Sequence, residues 1–243
     1  GNGPVDRGYI GHKAAKMMKR SKSIEARREQ AVKEKSALLK DAETVETLKI
    51  QPLTHHKETL AALSRVSILY DGRAVCPPVS FEIRQGDRIA LSGRNGSGKT
   101  SLLKLITGQD ISHTGVLTLA SGLVISHVPQ DTSFLHGSLD NFALDQGLDE
   151  TLFKTILRKL DFERDQFEKN METYSGGQKK KVLIAKSLCE KAHLYIWDEP
   201  LNYVDIYSRM QIEQLICAFK PTMLFVEHDQ AFQDLIATKR VDI

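Results

Sequence analysis

Short apolar runs separated by polar and glycine-containing turns fill most of the chain after residue 60, and this pattern predicts strands. The predicted strands cover residues 65–70, 79–83, 89–92, 115–119, 123–128, 194–197 and 222–226. Between residues 138 and 191 a helical period replaces the strand pattern, which predicts an inserted helical subdomain. Strands that alternate with helices in this way indicate an α/β fold with a mostly parallel sheet.

The segment before residue 60 has a different pattern. Residues 1–11 are rich in glycine and predict a loop, whereas residues 13–48 contain neither glycine nor proline and predict one long helix. Its apolar positions Met17, Ile24, Ala31 and Leu38 recur every seven residues and form a narrow seam. Such a seam needs a partner, which we expect to precede residue 1 as the other arm of a hairpin. Residues 51–59 predict a linker, so we divide the chain into a helical segment, 1–60, and a globular domain, 61–243.

Charge is distributed unevenly along the 243 residues. The net charge is +3, but the first 40 residues carry eleven lysines and arginines against four acidic residues, which is +7 and leaves −4 for the rest. A basic front end predicts a polyanionic partner such as nucleic acid, although a solvated helix face is an alternative. Three cysteines without metal-like spacing indicate a reducing compartment, the cytoplasm. No apolar run approaches the roughly 18 residues of a membrane span.

A glycine-rich loop between a predicted strand and a predicted helix is the first candidate site. It reads GRNGSGKT, and its candidate ligand-binding residues, with the serine that follows, are Gly93, Asn95, Gly96, Ser97, Gly98, Lys99, Thr100 and Ser101. The glycines let successive backbone N–H groups point at phosphate oxygens. Lys99 adds charge for the β- and γ-phosphates, the Thr100 hydroxyl suits Mg²⁺, and Ser101 can add a phosphate hydrogen bond. This is a P-loop that predicts nucleotide binding.

Two later apolar strands end in residues with acid–base chemistry. Asp198 follows residues 194–197 and would lie beside the P-loop, where it can hold Mg²⁺ directly or through water. Glu199 can act as general base for a water that attacks the γ-phosphate, or at least orient that water. His228, near the end of the next apolar strand, can hydrogen-bond the γ-phosphate or the water.

The segment Tyr174–Gln178, YSGGQ, directly precedes a predicted basic helix. A helix N-terminus attracts anions, so the candidate anion-binding residues are Ser175, Gly176, Gly177 and Gln178. A P-loop, this segment and an Asp-Glu pair in that order resemble the motifs of ATP-binding-cassette ATPases. The resemblance covers residues 61–243 and implies a P-loop ATPase domain with a mixed sheet core, an antiparallel β-subdomain and a helical subdomain. It also implies that ATP and Mg²⁺ bind, and that the YSGGQ segment closes on the γ-phosphate held by a second cassette, in the same parent chain or a homodimer. The cassette is therefore expected to need that partner for full ATPase activity.

Shorter motifs of the same family also match. Gln130 in VPQD resembles the glutamine that touches Mg²⁺ and the water, and Tyr70 in ILYDG lies where an aromatic ring stacks on adenine. A core tyrosine at a strand end is the alternative for Tyr70. Asp205 in LNYVD resembles the aspartate that organises the contact between cassettes.

A long basic helix joined to a cassette resembles the interdomain linker and second cassette of the ABC-F proteins. These soluble ATPases bind the ribosome, as translation factors or as proteins that protect it from antibiotics. Residues 8–22 look like the linker of the lincosamide, streptogramin A and pleuromutilin resistance group, which implies contact with ribosomal RNA. The alternatives are the ATP-binding subunit of a membrane transporter and a DNA-repair ATPase with a coiled-coil arm.

Overall fold

The computed structural model describes residues 7–38, 48 and 50–243. The chain forms two compact units, Gly1–Ala42 and Glu43–Ile243. Helix α1, Arg7–Leu38, lies in the first unit. It begins before the predicted start, so the prediction of a loop over residues 1–11 is wrong from Arg7 onward. A glycine inside a helix costs only about 0.5–1 kcal/mol, which the long run of helix formers that follows can offset. The predicted continuation over residues 39–47 lies outside the described residues, and Leu48, the predicted last residue of the helix, forms a bend instead.

The second unit contains two sheets and the helices that join their strands. The strands are β1 Thr59–Tyr70, β2 Arg73–Ala74, β3 Val79–Arg84, β4 Arg88–Ser92, β5 His113–Leu119, β6 Ile125–Val128, β7 Leu194–Asp198, β8 Met223–Val226 and β9 Lys239–Asp242. The helices are α2 Lys99–Ile106, α3 Leu139–Asp145, α4 Glu150–Lys159, α5 Gly176–Cys189, α6 Ile206–Phe219 and α7 Gln230–Ile236. Each predicted strand overlaps an observed one.

The smaller sheet is antiparallel and is built around β1. Ala62 of this strand lies opposite Glu82 of β3 on one side and Thr118 of β5 on the other, and the short strand β2 pairs with its end. Strand β1 is longer than the predicted 65–70 because its first half is held from both sides.

The larger sheet has the order β6-β7-β8-β4-β9, and its described pairings are all parallel. Alternate residues of β7 face two different apolar clusters: Ile196 packs in the cluster that includes α2 and the antiparallel sheet, and Trp197 packs in the cluster that includes α4 and α5. A strand buried on both faces explains the continuous apolar run, and the α/β fold class is confirmed.

Parallel pairing brings the carboxyl ends of four neighbouring strands to the same edge of the sheet. Val128 lies opposite Trp197, and Asp198 lies opposite Val226. The P-loop leaves β4 at this edge, where ligands of open α/β sheets bind. The fold therefore collects the loops that follow β4, β6, β7 and β8.

Helices α3, α4 and α5 lie within the stretch where the sequence predicted helical structure, residues 138–191. Ile156 and Leu157 of α4 and Val182 of α5 are fully buried in one apolar cluster. Across the part of the chain that the structure describes, none of the helices combines the length and the apolar character that a membrane crossing requires.

Candidate functional site

The glycine-rich loop curves around the side chain of the lysine that follows it. Gly96 and Gly98 have left-handed backbones, with φ of 81° and 87°, which glycine adopts without strain. A Cβ on Gly93 would lie 2.6 Å from the carbonyl oxygen of Ile243 and 2.7 Å from Ser97 Oγ. Lys99 Nζ donates hydrogen bonds to the carbonyl oxygens of Gly93, at 2.6 Å, and Arg94, at 3.0 Å. The ammonium group therefore lies within the curve of the loop, where phosphate oxygens can replace these acceptors.

A cavity of about 690 Å³ opens beside this loop. Tyr70 lines this cavity and is 73% exposed, so the ring is available to a flat ligand. The core-tyrosine alternative does not fit this exposure. The predicted site residues that line the cavity are Tyr70, Asn95, Gly96, Gly98, Lys99, Thr100, Ser101, Gln130 and Glu199.

Thr100 and Gln130, which line the cavity, meet the buried Asp198 side chain next to it. The Thr100 hydroxyl donates to Asp198 Oδ2 at 2.7 Å and lies 3.4 Å from Gln130 Oε1. Burial raises the pKa of Asp198, although the Thr100 hydrogen bond and Lys180 oppose this effect. Among the described residues, Asp198 Oδ1 and Ser97 Oγ are buried without a hydrogen-bond partner. The unpaired carboxylate oxygen of Asp198 fits Mg²⁺ or a water bound to it. The unpaired hydroxyl of Ser97 fits a phosphate oxygen.

Glu199 is held by three side chains. Its Oε2 accepts from Gln130 Nε2 at 2.9 Å and from Asn202 Nδ2 at 2.7 Å, and its Oε1 lies 3.0 Å from His228 Nε2. Burial raises the pKa of this carboxyl, but the hydrogen bonds from His228, Asn202 and Gln130 outweigh burial and lower it. The site therefore favours a carboxylate that is available as a proton acceptor.

The backbone of Glu199 is unusual, because φ is 49° in a residue that carries a side chain. Such left-handed residues cost about 1–3 kcal/mol and cluster at functional sites. Glu227 supports the turn: its carboxylate accepts from the backbone N–H groups of Leu201, His228 and Asp229. The site predictions did not include Asn202 or Glu227, although Asn202 lies within the LNYVD motif and Glu227 directly precedes His228.

The YSGGQ segment begins α5 and lines no part of this cavity. Ser175 caps the helix and shares a capping box with Gln178, with bonds of 3.2 and 2.8 Å. Tyr203 packs on Gly176 and Gly177, and its ring is 83% exposed. The structure therefore separates these predicted ligand-binding residues from the P-loop of the same chain.

Asp205 lies near this helix start and caps α6. Its carboxylate accepts from Lys181 Nζ at 2.9 Å and from the Ser208 backbone at 2.9 Å. Burial favours a raised pKa, but the hydrogen bonds from Lys181 and Ser208 lower the pKa of Asp205 to about 2. Asp205 also lines no part of the cavity.

Lys180 is a further polar residue that the sequence predictions missed. It is 2% exposed, and its Nζ lies within hydrogen-bond distance of the carbonyl oxygens of Pro129, Gln130 and Asp198. Burial lowers its pKa, while Asp198, Glu199 and two further carboxylates oppose that shift. A lysine within a basic run predicts a solvated face, so its burial was not recognisable from local sequence.

Comparisons with known proteins show which proteins the chain resembles. Residues 76–202 match a family model described as ABC transporter. The chain is 31% identical over 180 residues to the ATP-binding protein Uup of Buchnera aphidicola subsp. Acyrthosiphon pisum, which covers 70% of this chain and 30% of the relative. It is 26% identical over 180 residues to ABC transporter F family member 2 of Arabidopsis thaliana, covering 72% of this chain and 26% of the relative. The chain thus spans less than a third of the length of these two relatives.

A solved structure of an RNase-L Inhibitor shares the fold. It superposes with a TM-score of 0.63 at 25% identity and covers 77% of this chain and 38% of that chain. The relatives include a protein named as ATP-binding, and the solved structure shares the fold of this chain.

Proposed function

This chain belongs to the ABC transporter family of ATP-binding domains, with relatives of the F type, and we propose that it is the ATP-hydrolysing cassette of a ribosome-binding protein. The observation that supports hydrolysis is the cluster at the sheet edge, where Glu199 is held beside the Thr100–Asp198 pair. The basic helix α1 supports the ribosome as the partner.

In this proposal the P-loop binds the phosphates of ATP. Backbone N–H groups of residues 93–98 and the Lys99 ammonium hold the β- and γ-phosphates, and Ser97 Oγ and Ser101 add donors. Tyr70, which lines the cavity, stacks on the adenine ring. Thr100, Gln130 and Asp198 are the residues that would hold Mg²⁺, which supplies charge neutralisation on the phosphates.

Glu199 acts on the attacking water. A carboxylate offers about four acceptor positions, and the three hydrogen bonds to Gln130, Asn202 and His228 leave room for a water molecule. Because these donors favour the charged form, Glu199 can take the proton as the water attacks the γ-phosphate. His228 holds the carboxylate from the other side and can orient the same water.

A second cassette completes the site. Ser175, Gly176, Gly177 and Gln178 lie at a helix start that faces no part of this chain's own cavity, and Asp205 lies beside them. In a pair of cassettes this helix start would bind the γ-phosphate held by the partner. The chain alone is therefore expected to bind ATP and to hydrolyse it slowly.

The first unit carries the argument for RNA. Helix α1 contains ten lysines and arginines against three acidic residues, a net charge of +7. Lys16 and Lys19 are exposed, as are the apolar Met17 and Met18, 68% and 69% exposed. A basic helix with apolar side chains can contact RNA phosphates and unstacked bases. ATP-driven closure of two cassettes would position this helix on the ribosome, either to protect it from antibiotics or to assist translation.

Ribosome copelleting with the Glu199→Gln variant tests the proposal. The protein is centrifuged with ribosomes, with and without ATP, across a salt series. We expect ATP-dependent pelleting that weakens as salt rises, since each phosphate contact releases counterions. Neutralising Lys16 and Lys19 to Gln should reduce the salt dependence, because each RNA phosphate contact adds about 0.7–0.9 to its logarithmic slope.

A matched control neutralises two exposed lysines of the second unit, Lys57 and Lys191, to Gln. This variant has the same net charge as the α1 variant and should pellet as the Glu199→Gln protein does. Pelleting that is independent of ATP and equal in the two charge variants would contradict the proposal. Recovery with membranes instead of ribosomes would favour the transporter subunit.

A further inference from the structure

We infer that Lys180 is a positioning residue for ATP hydrolysis, tying the start of α5 to the loops that carry Gln130, Asp198 and Glu199. Its Nζ lies 3.0 Å from the carbonyl oxygen of Pro129, 3.1 Å from that of Gln130 and 3.3 Å from that of Asp198. The inference rests on the proposed function, since it concerns the same ATP site.

These acceptors belong to the ends of two different strands. Pro129 and Gln130 directly follow β6, and Asp198 is the last residue of β7. An ammonium group has three N–H donors and no acceptor, so one Lys180 side chain can satisfy all three carbonyl oxygens at once. Lys180 therefore fixes the separation of the two strand ends at the point where the parallel pairing of β6 and β7 stops.

The backbone that Lys180 holds carries the side chains that meet in the site. Gln130 Nε2 donates to Glu199 Oε2 at 2.9 Å, and Asp198 Oδ2 accepts from Thr100 at 2.7 Å. A shift of the β7 end would change both contacts, and a shift of the β6 end would change the Gln130–Glu199 contact. Misplacement of reacting groups by about 1 Å can cost about 10²-fold in rate. Lys180 touches none of the reacting atoms and acts through this backbone.

Burial argues against a purely solvating role. Lys180 is 2% exposed, and a buried ammonium is costly unless it is fully hydrogen-bonded. A methionine at this position would retain nearly the same length and apolar stem without the cost. The three carbonyl groups therefore explain why a charged side chain with three N–H donors is buried here. Lys180 lies four residues after Gly176, the first residue of α5.

Lys180→Met removes the donors and keeps the length of the side chain. We expect kcat for ATP hydrolysis to fall by about tenfold or more, because the interaction positions the hydrolytic groups and not the P-loop that binds the phosphates. Affinity for ATP in EDTA should not change, and the gain in affinity on adding Mg²⁺ should shrink. Binding is followed by fluorescence of Trp197, the one tryptophan of the sequence.

Lys186→Met is the matched control, since Lys186 lies on the same helix and its amino group pairs with Glu190. It makes the same substitution and should leave kcat and the Mg²⁺ effect unchanged. Thermal unfolding of both variants gives the folded fraction at the assay temperature. If Lys180→Met does not fold, Lys180→Gln, which retains two N–H donors, should show an intermediate fall in kcat.

Wild-type kcat and Mg²⁺ dependence in the folded Met or Gln variant would overturn the inference. The inference would also be overturned if the variant lost kcat, metal-free ATP binding and the Mg²⁺ effect only in proportion to its loss of folded protein. That result would show that Lys180 stabilises the fold and does not position the site. A wild-type chain that neither binds nor hydrolyses ATP would refute the proposed function and, with it, this inference. A wild-type chain that hydrolyses ATP beside an equally active variant would refute this inference alone.

Discussion

Gly177 should tolerate no side chain, whereas its neighbour Gly176 should tolerate a methyl group. An added Cβ on Gly177 would lie closer than 3.0 Å to the backbone carbonyl oxygen of Tyr203. The same atom on Gly176 would meet only the ring of Tyr203, at 3.1 Å. The ring is mostly exposed and can rotate, but the carbonyl belongs to a turn whose φ at Tyr203 is 64°.

The cost of Gly177→Ala follows from how far that carbonyl must move. Ordinary contact requires a displacement of roughly 1 Å, and forced overpacking of this kind costs about 1–3 kcal/mol. The better helix propensity of alanine returns at most about 1 kcal/mol. The displacement also reaches Asn202, which donates to Glu199 at 2.7 Å. Gly177→Ala should therefore lose stability and hydrolysis together.

Thermal unfolding and ATP turnover of the two alanine variants check this reasoning. For a domain of this size about 1–3 kcal/mol lowers Tm by about 2–12 °C, so we expect a clear fall for Gly177→Ala and little change for Gly176→Ala. Equal Tm values for wild type and both variants would refute the clash argument. A fall for Gly176→Ala as large as that for Gly177→Ala would show that the Tyr203 ring is not free to move.

Two further substitutions test other parts of the site. Lys99→Ala should weaken ATP binding by about 10- to 100-fold, since hydrogen bonds to a charged group contribute about 1.5–3 kcal/mol; unchanged affinity in a titration with ATP would contradict the role of Lys99. The pKa of Asp205 falls from 3.8 to about 2 in the folded chain, so its ionised form stabilises the protein above pH 4. That contribution disappears as pH falls through 2, so the stability difference between wild type and Asp205→Asn should shrink between pH 4 and pH 2 in chemical denaturation; a constant difference would refute it.

Local motifs made much of the site predictable. The residues from Gly93 to Thr100 are consecutive, and Asp198 and Glu199 follow a run of four apolar residues, so chemistry and secondary structure could be read together. In a parallel sheet the loops that follow neighbouring strands lie at the same edge, so the P-loop and the Asp198–Glu199 pair were expected to lie close together.

Contacts made by single side chains across long separations were not predictable. Lys180 lies in a run of three lysines, and only the fold shows that it is buried against carbonyl groups 50 and 18 residues away. Strand β9 has the sequence KRVD, in which three charged residues surround one apolar residue, Val241, so no alternation predicts a strand. It forms because β4 offers it a parallel edge, with Leu91 opposite Val241.

The central claim is that Glu199 activates the water that attacks ATP. The most direct test compares ATP affinity and ATP turnover for wild type and Glu199→Gln, in the presence of a second cassette. The amide is nearly the same size and can still be held by the neighbouring side chains, but it cannot accept a proton at neutral pH. We predict unchanged ATP affinity and turnover lower by at least about 10²-fold, the contribution typical of a general base. Wild-type turnover in Glu199→Gln would contradict the account.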